Sequence, residues 1–91
     1  MELRNIRYFL ALCEEQNFCQ AAKRCGIAQP SLTNAIKRLE RQIGGALFLR
    51  KPSTQPTPLA LALKPHFEQV ISAVQLAQRA ARHVQVRRGR Q

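Results

Sequence analysis

The sequence predicts a mainly α-helical domain: a helix-turn-helix, then a short β-wing, then one long C-terminal helix. Three observations carry this. Apolar residues recur every three or four positions in the segments 3–15, 29–43 and 59–86, the spacing of one helix face. Gly26, Gly44 and Gly45 fall where helical patterns stop. Residues 51–58, KPSTQPTP, hold three prolines in eight positions, which excludes a helix and a long regular strand alike.

The first helix rests on Leu3, Ile6, Phe9, Leu10 and Cys13. Asn17 is an N-cap for a short second helix from Phe18 to about Cys25, because its side chain can satisfy a free N–H of the first turn. Gly26 supplies the backbone freedom to turn, and Ile27 points back into the core. Gln29-Pro30 opens the third helix, where a first-turn proline costs little because its missing N–H had no partner. That helix runs to about Ile43. Ala46 to Arg50 and the proline-rich segment then form the two short strands and tip of a wing. From about Leu59 the chain is helical again to about Val86, with Pro65 expected to distort its start. The arrangement is a winged helix-turn-helix over residues 1–58, a linker helix over 59–86, and a basic tail over 87–91 (Arg87, Arg88, Arg90).

The 91 residues bound this to one small domain. Fifteen Lys+Arg against five Asp+Glu give a net charge of +10. From Gln16 to Phe67, Glu40 alone opposes Lys23, Arg24, Lys37, Arg38, Arg41, Arg50, Lys51 and Lys64. Such local excess indicates a polyanionic partner, nucleic acid rather than membrane. The best apolar run, Tyr8 to Cys13, is far too short for a bilayer, and no signal peptide is visible. Cys13, Cys19 and Cys25 are odd in number and six residues apart, which fits neither a disulfide framework nor a zinc knuckle. Cys13 and Cys25 read as buried thiols in a reducing cytosol, and Cys19 as a more exposed one. No metal and no cofactor is expected.

The third helix carries the functional signal. Leu32, Ala35, Ile36, Leu39 and Ile43 form one face; Ser31, Thr33, Asn34, Lys37, Arg38 and Arg41 form the other. A helix apolar on one side, short-polar and basic on the other, suits the major groove of double-stranded DNA. Ser31, Thr33, Asn34 and Lys37 are the base-reading candidates. Gln29, Pro30, Arg38, Arg41, Arg50 and Lys51 are the candidates for the phosphate backbone, which sets register and salt dependence. Lys23 and Arg24 end the second helix, where cations also suit the helix dipole.

The long helix carries a second signal. Leu63, Phe67, Val70, Val74, Ala77, Ala81 and Val84 are spaced 4, 3, 4, 3, 4 and 3, an a/d seam over three heptads. So small a head cannot bury it all, so a homodimer through this helix is expected.

In order and spacing these residues resemble the N-terminal domain of LysR-type transcriptional regulators. The likeness runs through Leu3, Ile6 and Phe9 of the first helix, A-Q-P-S-L-T at Ala28 to Thr33, I-x-x-L-E at Ile36 to Glu40, Gly44, L-F-x-R at Leu47 to Arg50, and Thr57-Pro58. It implies sequence-specific DNA binding, bacterial transcription regulation in the cytoplasm at the nucleoid, and antiparallel pairing of linker helices. A full-length member also carries a C-terminal effector-binding domain and completes a tetramer. That domain is absent from this sequence, so no small-molecule effector site is expected in it. Against the family pattern, Asn34 replaces a frequent arginine, which favours adenine over guanine. Ala28 replaces a capping Ser/Thr, Ser53 and Thr54 replace wing-tip arginines, and Ala60 replaces a glycine.

Three rival classes fit the sequence less well. An enzyme lacks support: His66 and His83 stand apart on one helix with no triad and no phosphate loop. A non-specific, nucleoid-type nucleic-acid binder fits the charge, but Phe9, Phe18, Phe48 and Phe67 all fall on apolar faces, leaving none to stack on bases. A pure dimerisation or interaction module fits the seam but leaves the polar face of the third helix unused.

Overall fold

The computed structural model describes residues 1–89. Four helices and a two-stranded wing follow in the order α1 (Leu3–Glu15), α2 (Phe18–Cys25), α3 (Gln29–Ile43), β1 (Phe48–Leu49), β2 (Gln55–Pro56) and α4 (Pro58–Gly89).

Helices α1, α2 and α3 pack on one another to make the head. α1 buries Ile6, Phe9, Leu12 and Cys13; α3 buries Leu32, Ile36 and Leu39. Between them α2 fully buries only Ala21 and Ala22, side chains small enough for three helices to meet, with Phe18 partly buried against the core. α1 ends at Gln16, a non-glycine residue at φ 52°, whose N–H bonds the Leu12 carbonyl at 2.9 Å. Asn17 caps α2: its side-chain oxygen accepts from the Gln20 N–H at 2.9 Å. Gly26 and Gly44 terminate α2 and α3 at φ 70° and 92°, where any other residue except Asn or Asp is strained. Ala28 gives α3 no side-chain cap, and Pro30 occupies its first turn.

Two polar side chains fasten the wing and α4 to the end of α3. The Glu40 carboxylate accepts from the Leu47 N–H at 2.7 Å. The Thr57 hydroxyl donates to the Ala46 carbonyl at 2.8 Å and accepts from the Ala60 N–H at 3.2 Å, capping α4. The strands are antiparallel, Phe48 facing Pro56 and Leu49 facing Gln55. They are shorter than Ala46–Arg50 suggests, because prolines remove ladder donors on the second strand.

α4 is continuous through Pro65, which is exposed. It meets the head through Ala60 and Phe67, with Leu63 and Ile71 partly buried beside them. Phe67 stands edge-on to Phe9 with ring centres 5.2 Å apart. The heptad seam is therefore divided: Leu63 and Phe67 face the chain's own head. Val70, Ala77, Ala81 and Val84 are exposed, and Val74 is half-buried. The helix also continues through residues 87–89, where the sequence suggested a tail; residues 90 and 91 of that tail lie outside the described residues.

Candidate nucleic-acid interface

With Leu32, Ile36 and Leu39 fully buried, the rotation of α3 is fixed. Its opposite side turns Gln29, Pro30, Ser31, Asn34, Lys37, Arg38 and Arg41 to the surface, while Thr33 is half-buried at the margin. All ten sequence-derived interface candidates thus lie on α3 or at the wing, with Arg50 and Lys51 exposed beside β1.

The face is cationic because its acid is turned away. Glu40 is half-buried and spends its carboxylate on the Leu47 N–H. Arg50 is held in place: its guanidinium carbon lies 5.0 Å from the centre of the Phe18 ring, an attraction between cation and π-face. Phe18 is itself set edge-on against Phe48, 6.5 Å away. Arg24 plays a different part. It pairs with Glu14 and, at 3.2 Å, with Glu15, and these carboxylates raise its pKa. Its charge ties α2 to α1 and is largely neutralised there. Lys23 stays exposed.

Sequence reasoning missed the N-terminal turn of α1. Arg4, Asn5 and Tyr8 converge with Ser31, Asn34 and Arg38 around a recess of about 180 Å³ between α1 and α3. Glu2 pairs with Arg4 at 2.7 Å. The hydrogen bond and charge of Arg4 hold the Glu2 carboxyl below its ordinary range, and the Arg38 charge adds to this. The available signal was the stripe Asn5, Phe9, Leu12: a carboxamide on an apolar helix face.

Among the described residues no cluster of three or more His, Cys, Asp or Glu gathers as a metal site. None of their helices is long and apolar enough to cross a membrane. The thiols differ sharply. Burial pushes Cys13 up to about 11. It also raises Cys25, against the opposing charge of Arg24, whereas Cys19 is exposed. A disulfide reagent near neutral pH should therefore modify Cys19 first and Cys25 more slowly. Cys13 should react only once denaturant is added. Mapping labelled peptides checks this; early labelling of Cys13 would contradict the packing of α1.

Residues 3–61 match the family of bacterial regulatory helix-turn-helix proteins described as the lysR family. The chain belongs to that family. The matched region is a regulatory DNA-binding domain and not an enzyme. The chain is 40% identical over 87 residues to the probable cat1 operon transcriptional activator of Acinetobacter lwoffii, covering 92% of this chain and 28% of that protein. It is 54% identical over 50 residues to the HTH-type transcriptional regulator BudR of Klebsiella aerogenes, covering 55% of this chain and 35% of that one. It thus spans about a third or less of these curated relatives. The BenM DBD/benA site 1 DNA complex matches its fold with a TM-score of 0.87 at 34% identity, over 92% of this chain and 99% of that chain.

Proposed function

We propose that this chain is the DNA-reading head of a LysR-type transcriptional regulator. It places α3 in the major groove of double-stranded DNA and works as a homodimer paired through α4, in the bacterial cytoplasm at the nucleoid. One observation carries the reading: apart from Pro30, the side of α3 turned outward presents amide, hydroxyl and cationic groups. That set matches base edges and phosphates together. The BenM complex, a related fold described with DNA, supports it. Within this frame Ser31, Thr33, Asn34 and Lys37 read bases. Gln29, Pro30, Arg38, Arg41, Arg50 and Lys51 meet the backbone. Effector binding and tetramer formation belong to the rest of a full-length regulator.

Gel-shift titration on a selected duplex and a scrambled one tests the division of labour. Asn34→Ala should lose about 1–3 kcal/mol on the selected duplex and little on the scrambled one. Arg50→Ala should weaken both alike and lower the salt dependence by about one phosphate contact. Equal losses for Asn34→Ala on both duplexes would remove it from base reading.

A further inference from the structure

The geometry points to a phosphate seat in the recess between α1 and α3, where Asn5 holds one phosphate of the DNA backbone. This rests on the DNA-binding reading above and adds to it a residue outside the helix-turn-helix.

Asn5 is 3% exposed, and its amide nitrogen has no hydrogen-bond partner. A buried donor left unpaired is costly, and native proteins leave few of them. Asn5 shares its helix stripe with Phe9 and Leu12, both fully buried. On packing grounds alone leucine would serve better there. A carboxamide kept there against that cost is a group held for a polar ligand rather than for packing.

The surroundings specify the acceptor. Arg4, Tyr8, Ser31, Asn34 and Arg38 line the recess with Asn5. These supply two guanidiniums, a second carboxamide and two hydroxyls, and no carboxylate. Such a set favours an anion rich in oxygen acceptors. The nearest acid, Glu2, already sits on Arg4 and marks where negative charge is stabilised. A half-turn about the last side-chain bond exchanges the Asn5 nitrogen and oxygen, so the donor can face the recess.

The location selects DNA as the source of the anion. Ser31, Asn34 and Arg38 belong both to the recess and to the outward face of α3. The major groove is about 12 Å wide and walled by sugar-phosphate backbone on both sides. With α3 in the groove, one wall runs past the recess. Phosphate held by Asn5 and Arg38 together would fix how deep and at what angle α3 enters.

The test uses Asn5→Leu and Asn5→Asp in duplex titrations, with NMR of the Asn5 side-chain NH2 in the unaltered protein. Asn5→Leu should melt no lower than the parent yet bind selected and scrambled duplexes about tenfold more weakly, the effect of one hydrogen bond to a charged group. Asn5→Asp, which sets a carboxylate against the phosphate, should bind more weakly still. Duplex should move the Asn5 NH2 signal together with α3 amides, and inorganic phosphate should move it less. Parental affinity in Asn5→Leu, or an NH2 signal unmoved by a duplex that shifts α3, overturns the seat and leaves the DNA reading intact. Saturation by inorganic phosphate with no response to duplex overturns the assignment to DNA. A parent protein that binds no duplex at low salt removes the DNA reading and the seat together.

Discussion

Replacing Phe9 by alanine should lower the stability of the head by about 3–5 kcal/mol. Phe9 is fully buried, edge-on to Phe67 at 5.2 Å and tilted against Phe48 at 5.6 Å. It therefore joins α1, the first wing strand and α4 at one point. Each aromatic pair adds about 0.5–1.5 kcal/mol beyond the area it buries. A domain of 91 residues has about 5–14 kcal/mol of stability in all, at roughly 0.05–0.15 per residue. The substitution thus removes about a fifth of it at the least. Phe9→Leu keeps most of the apolar volume and should lose much less. Urea unfolding followed by circular dichroism decides the point. An alanine variant within about 1 kcal/mol of the parent would show that the three elements are held by something other than this ring.

Much of the head was legible because its determinants are local. The period of Ile6, Phe9 and Cys13 is a property of one helix, although Leu12, fully buried, was not read from it and Leu3 is exposed. Asn17 caps a residue three positions away, and Gly26 and Gly44 act through their own φ angles. The rotation of α3 followed from Leu32, Ile36 and Leu39, and with it the outward set of candidate contacts. What was not legible depends on pairs distant in the chain. Arg24 reaches Glu14 and Glu15 across two helices, so its commitment leaves no mark on either helix's pattern. Arg50 rests on Phe18, brought near only once the wing folds. Asn5 reads as one more polar residue until α3 closes over it.

α4 shows a subtler limit. Leu63 and Phe67 fit a heptad seam in sequence. The head, however, uses Ala60, Leu63, Phe67 and Ile71, a stripe that follows the 3.6-residue turn. A seam of period 3.5 and a stripe of period 3.6 drift apart by only about 20° per heptad. Over the first two turns they are the same residues. Periodicity establishes that this helix has an apolar side; it does not say where one neighbour ends and the next begins.

That division underlies the second large effect, expected for Val74→Asp. The apolar packing of α4 on the core of the head ends at Ile71, so the substitution falls outside that core and should leave the head folded. Val70, Ala77, Ala81 and Val84 continue the apolar line at the surface, with Val84 at 55% exposure. In the proposed dimer this line is covered by a second α4, and an aspartate there buries a carboxylate without a partner. Such a charge costs several kcal/mol or drives the helices apart. The variant should sediment as a monomer with parental helix content. Its affinity for an isolated half-site should be unchanged. On a paired half-site it should fall by about a hundredfold or more, because the second head no longer arrives at high effective concentration. Ala81→Asp, at a position exposed in the single chain, should give the same result and so separates loss of pairing from damage to the head. If both variants sediment as dimers, the line from Val70 to Val84 is not the pairing surface. If both are monomers yet bind the paired site at full strength, the two heads do not act as one unit on DNA.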